Sequence, residues 1–144
     1  MTRVLIIDDE TPIRLLCRVN LEAEGIEVRE AADGARGLEL AGADPPDAII
    51  LDVMMPGLDG WAVAERLAGD PTTSRVPILF LTARADLRDR ARALELGGVD
   101  YVTKPFNPLE LARTVHALVQ RGPPRARGRE RGEQLAELRA LMAD

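Results

Sequence analysis

Short apolar runs alternate with longer segments of helical period along most of this chain, and this alternation constrains the fold more than any other feature. Runs this apolar are typical of strands that are buried on both faces of a sheet. The five predicted strands cover residues 4–7, 26–31, 48–51, 77–81 and 99–103, of which 26–31 is weaker because glutamate and arginine are interleaved in it. Strands that alternate with helices favour a parallel sheet with helices on both faces. We therefore predict a doubly wound α/β fold with right-handed crossovers and the strand order 2-1-3-4-5.

Five helices are predicted in the segments that follow the strands. Thr11 as N-cap and Pro12 at the first helical position begin the first helix, and Gly25 ends it. The later helices start at or just after four residues that can cap a helix: Asp33, Asp59, Asp86 and Asn107. The fifth helix is predicted to run to about Arg121. Five helices on a sheet of this order make the flavodoxin-like form of the fold.

The length and composition predict one main domain with a short extension. The 144 residues suggest a single domain, which we place at residues 1–121. Residues 122–129 are a linker rich in proline and arginine. Residues 130–144 have the apolar spacing of a short amphipathic helix, which would either fray in solvent or pair with its own copy or another protein. The net charge of −5 is a poor electrostatic match for nucleic acid, so we expect no direct contact with it.

The sequence also indicates a cellular compartment. Cys17 is the only cysteine, which excludes an internal disulfide and fits a reducing environment. Its position on an apolar helix face predicts a buried thiol. The chain shows neither a signal peptide nor a run of roughly 20 apolar residues that could span a membrane. We therefore expect a cytoplasmic protein without membrane contact.

Five polar residues follow the predicted strands at their carboxyl ends. Asp8 and Asp9 follow the first strand, Asp52 the third, Thr82 the fourth and Lys104 the fifth. Ligands of open α/β sheets bind beyond these ends, at the point where the strand order reverses, so the five side chains should converge there. Lys104 is also the only lysine among 19 basic residues. Its retention indicates a site that needs a compact cation rather than the wide fork of arginine.

This set of residues predicts a metal-assisted phosphoryl site. Three crowded carboxylates repel one another unless a cation compensates, and oxygen ligands suit Mg²⁺. A carboxylate can also act as a nucleophile and become an aspartyl phosphate. Phosphoryl transfer depends on positioning and charge neutralisation, which the metal, Lys104 and the Thr82 hydroxyl would supply. Each residue alone could be structural, as a helix cap, a turn residue or a stray surface lysine, but the complete set favours chemistry.

Four segments of the chain together resemble the receiver domain of two-component response regulators, in the stand-alone architecture of chemotaxis receivers. The segments are IIDDE (residues 6–10), ILDVMMPGLDG (50–60), FLTA (80–83) and YVTKPF (101–106). The match extends over residues 3–121. The resemblance implies a signalling switch, not an enzyme with a separate substrate. A histidine kinase or phosphotransfer protein would donate the phosphoryl group, and a downstream protein partner would respond.

The resemblance also assigns roles at the acidic site. Asp52 would be the phosphoacceptor. Asp9, Asp52 and the backbone carbonyl of Met54 would hold Mg²⁺, for which Mn²⁺ can substitute, and Asp8 would act through the waters of the metal. Lys104 would reach the phosphoryl group.

The family pattern further implies a conformational switch. Thr82 and Tyr101 would form the switch pair. Phosphorylation would reshape the face made by the fourth helix, the fifth strand and the fifth helix, which we call the switch face. The small side chain of Ala83 would leave access to Asp52. The bond between Lys104 and Pro105 is expected to be cis, an isomer that proteins keep for geometry. Gly57 and Gly60 are expected to form the loop after the third strand.

Two further implications concern lifetime and assembly. Met54 and Arg84 occupy positions that tune phosphoryl lifetime in this family, and neither offers a carboxylate or amide to orient water, so we expect slow autodephosphorylation. Receivers with winged-helix outputs dimerise through the switch face, and two of their three usual ion pairs have counterparts here: Arg90 with Glu110, and Asp100 with Arg121. The third pair is missing, because Val99 and Thr114 stand at its positions. A homodimer through this face or through the C-terminal helix is therefore consistent with the sequence.

Two other functions compete with this interpretation. An aspartate-nucleophile phosphatase would carry a second aspartate two residues beyond Asp8, where this chain has Glu10, and would need a cap domain for which the chain is too short. A pseudo-receiver would bind partners without phosphorylation. The complete acidic set and Lys104 argue against that loss of chemistry.

Overall fold

In the computed structural model, which describes residues 1–82 and 98–121, five parallel strands form one sheet. The strands are β1 (Arg3–Ile7), β2 (Glu27–Ala31), β3 (Ala48–Asp52), β4 (Ile78–Thr82) and β5 (Gly98–Thr103). Their order is β2-β1-β3-β4-β5, as the sequence predicts. The strand limits agree with the predicted ones to within one residue at each end.

The register of the central strands determines where the site lies. All five residues of β3 and of β4 are buried, as expected for strands covered on both faces. Ile7, the last residue of β1, pairs with Leu51 of β3. Asp52, the last residue of β3, pairs with Leu81 of β4. The residues that follow β1 and end β3 therefore lie side by side at the carboxyl edge of the sheet.

Four helices lie in the described part of the chain. They are α1 (Thr11–Ala23), α2 (Gly34–Ala43), α3 (Gly60–Gly69) and α4 (Pro108–Arg121). Helix α4 is the fifth helix of the sequence prediction. The predicted fourth helix, which begins at Asp86, and the predicted C-terminal extension, residues 122–144, lie outside the described residues. None of the helices within residues 1–82 and 98–121 has the length and apolar character needed to cross a membrane.

Alternate residues of β1, β2, β3 and β4 contribute to two hydrophobic cores. Val4 and Ile6 pack with residues of α1 and α4 on one face of the sheet. Leu5 and Ile7 pack with residues of α2 and α3 on the other face. This division confirms the doubly wound arrangement. Cys17 is fully buried in the first core, as predicted, and burial followed by the charge of Asp8 raises the pKa of its thiol to about 12.

The sequence prediction for the start of α1 is wrong by one residue. We predicted Thr11 as the N-cap, but Thr11 is already helical and Glu10 occupies the cap position without a side-chain cap. The Asp8 carboxylate accepts the Glu10 N–H instead, at 2.8 Å, so a strand-end residue takes over part of the capping. The helix ends as predicted, because Gly25 adopts a φ of 79°, which favours glycine.

The predicted caps of the other described helices are present. The Asp33 carboxylate accepts the Arg36 N–H at 2.8 Å, and the Asp59 carboxylate accepts the Ala62 N–H at 2.9 Å. The side chain of Asn107 accepts an N–H at the start of α4. Each bond satisfies a donor that the first helical turn leaves without an intrahelical partner.

Candidate functional site

Three carboxylates meet at the carboxyl edge of the sheet. Asp8 directly follows β1, Asp9 comes next, and Asp52 ends β3. One carboxylate oxygen from each residue lies within 4.8 Å of the other two. Asp8 and Asp52 are 0% and 2% exposed, whereas Asp9 is exposed. The structure therefore brings together the three acidic residues that the sequence singled out, with one of them facing solvent.

Lys104 inserts its ammonium group between the two buried carboxylates. Its Nζ donates a hydrogen bond to Asp8 Oδ2 at 3.1 Å and lies 3.4 Å from Asp52 Oδ2. The backbone N–H of Lys104 donates to the carbonyl of Thr82 at 2.8 Å, which ties the loop after β5 to the end of β4. The peptide bond between Lys104 and Pro105 is cis, as expected from the sequence.

The two oxygens of Asp52 have different environments. Oδ1 accepts the backbone N–H of Met54 at 3.2 Å. Oδ2 is buried and accepts no hydrogen bond within the described residues, although the Lys104 ammonium lies 3.4 Å away. A buried polar atom without a hydrogen bond is unusual in a folded protein and needs an explanation. A cation or an incoming phosphoryl group at this position would supply one, so the residues present fit an oxygen-ligated metal.

Asp8 is engaged by the protein on both of its oxygens. Oδ1 accepts the Glu10 N–H at 2.8 Å, and Oδ2 accepts from Lys104. Asp9 is exposed beside it, and Asp52 presents Oδ2. This arrangement leaves Asp9 and Asp52 better placed than Asp8 for direct contact with a metal ion.

Burial and charge shift the pKa values of the central pair. Burial of Asp52 and the negative charge of Asp8 raise the pKa of Asp52 from 3.8 to about 6, against the opposing effects of Lys104 and the Met54 N–H. Burial alone would lower the pKa of Lys104. The hydrogen bond to Asp8 and the negative charges of both carboxylates outweigh burial, so the pKa of Lys104 lies above its ordinary value. The ammonium is therefore fully charged at neutral pH, while Asp52 is easier to protonate than an exposed aspartate.

The structure describes the remaining predicted site residues to different extents. Thr82 is the last residue of β4 and is buried, at 3% exposed. Tyr101 lies in β5, paired in register with Phe80. The side chain of Met54 is 65% exposed. Glu110 lies exposed in the first turn of α4. Ala83, Arg84 and Arg90 lie outside the described residues, and of Asp100 and Arg121 only the backbone is described.

Gly60 has a different role from the one the sequence suggested. We expected Gly57 and Gly60 to form the loop after β3, and Gly57 does adopt a positive φ of 74°. Gly60, however, is the first residue of α3, and its N–H donates to the carbonyl of Val53 at 3.1 Å. A Cβ at this position would overlap the carbonyl oxygen of Asp52 and lie 2.7 Å from Val53 Cα. Gly60 therefore lets α3 pack against the backbone that carries Asp52.

Arg14 is the residue that sequence reasoning missed. Its guanidinium donates to the backbone carbonyl of Asp8 at 2.6 Å and to the Glu30 carboxylate at 3.2 Å. The only sequence signal was a pair of opposite charges, one in the first turn of a helix and one near the end of a strand that carries two other charged residues. Such charges are usually solvated, so the pattern did not separate this pair from the others.

Comparison with known proteins gives a consistent result. Residues 4–116 match the family model described as the response regulator receiver domain. The chain is 43% identical over 121 residues to the DNA-binding dual master transcriptional regulator RpaA of Synechocystis, covering 84% of this chain and 50% of that protein. It is 46% identical over 123 residues to the transcriptional activator protein IrlR of Burkholderia pseudomallei, covering 85% of this chain and 52% of that one.

Solved structures support the same assignment. The Francisella response regulator 1452 receiver domain superposes with a TM-score of 0.79 at 32% identity, covering 84% of this chain and 98% of that chain. The Vibrio cholerae chemotaxis protein CheY4 gives a TM-score of 0.78 at 32% identity, covering 82% and 98%. The chain spans about half the length of RpaA and IrlR but nearly the whole length of these two structures.

Proposed function

Because this chain belongs to the response regulator receiver family, we propose that it is a phosphorylation-controlled signalling switch with Asp52 as its phosphoacceptor. Receiver domains are signalling switches rather than classical enzymes. The observation that carries the proposal is Asp52 Oδ2, a buried carboxylate oxygen without a hydrogen bond in the described residues, 3.4 Å from the Lys104 ammonium. A purely structural aspartate at a strand end would use its oxygens as caps, as Asp33 and Asp59 do.

The acidic cluster is proposed to hold Mg²⁺, which receiver domains bind at such a cluster. Asp9, Asp52 and the backbone carbonyl of Met54 would be the protein ligands, with Asp8 acting through water, and Mn²⁺ would substitute. When bound, the metal supplies positive charge to the oxygens of the transferring phosphoryl group. The exposed position of Asp9 supports this assignment, since the metal must be reached from solvent together with the phosphoryl donor.

The residues of the chain would divide the chemistry between them. A carboxylate oxygen of Asp52 forms the new bond to phosphorus while the bond from phosphorus to the donor breaks, and the electron pair of that bond leaves with the donor. With a pKa of about 6 in the metal-free protein, Asp52 is largely ionised at neutral pH and can act as the nucleophile. The Lys104 ammonium neutralises charge beside it. The Thr82 hydroxyl would donate a hydrogen bond to the phosphoryl group. Together with Tyr101, it would couple phosphorylation to a conformational change in β5 and α4.

The partners follow from this role. A histidine kinase or phosphotransfer protein would donate the phosphoryl group, and a downstream protein would recognise the face formed by the predicted fourth helix, β5 and α4. The named relatives are transcriptional regulators about twice the length of the region they share with this chain. We propose that residues 1–121 act as the receiver without contacting nucleic acid, in the cytoplasm, and that residues 122–144 form the linker and the short helix.

The proposal is tested by incubating the protein with acetyl phosphate and Mg²⁺ and measuring its intact mass. We expect one added phosphoryl group on the wild type and none on Asp52→Asn. Asp59→Asn is the matched control, because Asp59 is a nearby exposed aspartate that caps α3. Equal labelling of Asp52→Asn would exclude Asp52 as the acceptor. No labelling of the wild type, together with no binding of beryllofluoride, would favour a phosphorylation-independent interaction module instead.

A further inference from the structure

Arg14 connects three elements around the loop that carries the first two aspartates. Its Nη1 donates to the Asp8 carbonyl at 2.6 Å, at the end of β1. Its Nε donates to Glu30 Oε1 at 3.2 Å, in β2. Its Nη2 donates to Thr11 Oγ1 at 3.2 Å, at the start of α1. A planar guanidinium with several fixed donors can serve three acceptors in different directions, which an ammonium group cannot do as rigidly.

The hydrogen bond to the Asp8 carbonyl acts on Asp9. The carbonyl of Asp8 and the N–H of Asp9 belong to the same planar peptide unit, so fixing one fixes the orientation of the other. The side chain of Asp9 leaves the backbone directly after this unit and is exposed. Within residues 1–82 and 98–121, the Asp9 carboxylate has no hydrogen bond or ion pair of its own that would hold it toward Asp52. The Arg14 side chain is only 14% exposed, so water competes weakly for these bonds.

We propose that Arg14, held by Glu30, is a positioning residue for the metal site, which orients the Asp8–Asp9 peptide so that the Asp9 carboxylate faces Asp52. The inference rests on the proposed function, because it assumes that Asp9 and Asp52 share a divalent cation. Outer partners that orient metal ligands typically change metal affinity by roughly 10- to 100-fold when they are removed.

Arg18 provides a matched control on the same helix. It lies one turn further along α1 and also pairs with Glu30, with Nη1 2.9 Å from Oε2. Its Nη2 donates to the carbonyl of Val28 in β2 at 2.9 Å, not to the loop after β1. Replacing Arg18 therefore removes a similar tie between α1 and β2 and the same positive charge, while the Asp8 carbonyl keeps its partner.

The direction of the change in Mg²⁺ affinity distinguishes a positioning role of Arg14 from an effect of its charge alone. Removing a cation near an acidic cluster strengthens the attraction of that cluster for a divalent cation. Loss of the Arg14 charge alone should therefore tighten Mg²⁺ binding. If Arg14 orients Asp9, its loss should weaken Mg²⁺ binding in spite of the charge effect.

The test measures Mg²⁺ affinity by isothermal titration calorimetry for the wild type, Arg14→Met and Arg18→Met, using the full chain. Methionine keeps an apolar stem and removes every donor. We expect Arg14→Met to raise the Kd for Mg²⁺ by about 10-fold or more, and Arg18→Met to change it by less than about twofold. In labelling with acetyl phosphate, Arg14→Met should need more Mg²⁺ for half-maximal rate and should reach the wild-type rate at saturating Mg²⁺. Loss of a residue that contributed only to folding stability would not raise the Mg²⁺ requirement while leaving the rate at saturating Mg²⁺ unchanged.

Three results would overturn the inference: an unchanged Kd for Arg14→Met, a lower Kd, or equal weakening in both variants. Urea denaturation of each variant reports whether it folds. If Arg14→Met does not fold, Arg14→Lys carries the same test, because it keeps the charge and cannot hold three acceptors. Failure of the proposed function would look different, since the wild type itself would then bind no Mg²⁺ or accept no phosphoryl group.

Discussion

At the scale of single residues, ionisation of Asp52 in the metal-free protein lowers the free energy of unfolding. The folded state raises its pKa from 3.8 to about 6, so the folded protein holds the proton more tightly than the unfolded chain does. Asp52 therefore lowers the free energy of unfolding progressively as the pH rises from about 4 to about 6. A shift of about two pKa units corresponds to on the order of 2–3 kcal/mol above that window.

Asp52→Asn should accordingly be more stable than the wild type in the absence of metal, because a neutral amide replaces the buried charge. The difference in free energy of unfolding should be small near pH 4 and should grow as the pH rises to about 6 and above. Urea denaturation in EDTA measures it. Mg²⁺ should reduce the difference, since a bound cation favours the ionised carboxylate. A difference that does not vary with pH would contradict the burial of a titrating Asp52.

Met54 leads to a second prediction at this scale, which concerns the lifetime of the phosphorylated state. Its side chain is 65% exposed at the mouth of the site and offers neither a carboxylate nor an amide to orient water. We expect autodephosphorylation in Mg²⁺ to take minutes or longer, and Met54→Asn to shorten it. The decay of the phosphorylated mass after removal of acetyl phosphate measures both. Loss of the wild-type phosphoryl group within seconds would contradict the expectation.

The start of α3 packs tightly against β3, the strand that ends in Asp52, and this packing belongs to the scale of two elements. Gly60 places α3 so close to β3 that a Cβ would overlap the Asp52 carbonyl, and backbone atoms cannot move aside as a flexible side chain can. Gly69 ends the same helix in open space, since no atom of the described residues lies within 4 Å of the position that an added methyl group would take.

Gly60→Ala should therefore lower the free energy of unfolding by roughly 1–3 kcal/mol and slow phosphorylation, because the clash displaces Asp52. Gly69→Ala is the control and should be neutral or stabilising by up to about 1 kcal/mol. Chemical denaturation and the rate of labelling by acetyl phosphate measure both effects. Equal stability of the two variants would show that the packing of α3 on β3 is looser than the structure indicates.

The elements also show where sequence reasoning succeeds and where it fails. Asp33 and Asp59 could be recognised as caps because capping is local and depends on a bond to a residue three positions later. The cap of α1 was misplaced because Glu10 takes the cap position without a side-chain hydrogen bond, so no preferred capping residue marks the start of the helix. Gly60 was assigned to a loop because its need to be glycine comes from contact with β3, eight residues earlier, which the local sequence does not show.

At the scale of the molecule, the acidic site could be predicted because topology alone brings strand ends together. Asp8 and Asp52 are far apart in sequence, but parallel strands in the order 2-1-3-4-5 place them at one edge. The tie between Arg14 and the Asp8 carbonyl could not be predicted in the same way. It depends on the direction of one side chain, and the sequence offers several arginine and glutamate pairs on α1 and β2 that would satisfy the same pattern.

Assembly is the remaining prediction at this scale. If the switch face mediates dimerisation, beryllofluoride with Mg²⁺ should raise the dimer fraction, because it mimics the phosphoryl group on Asp52. Glu110→Arg should lower that fraction by removing one side of a predicted ion pair. Glu65→Arg, on the exposed side of α3, is the matched control. Size-exclusion chromatography with light scattering measures all three proteins. A dimer that forms equally without beryllofluoride would instead indicate the C-terminal helix.

The most direct test of the central claim is to identify the residue that carries the phosphoryl group. The wild type is labelled with acetyl phosphate and Mg²⁺ and reduced with borohydride, which converts an aspartyl phosphate to homoserine. The peptides are then mapped by mass spectrometry. We expect homoserine at position 52 and at no other aspartate, Asp8 and Asp9 included. Conversion at another aspartate, or at none in a protein that has gained phosphoryl mass, would contradict the assignment of Asp52 as the phosphoacceptor.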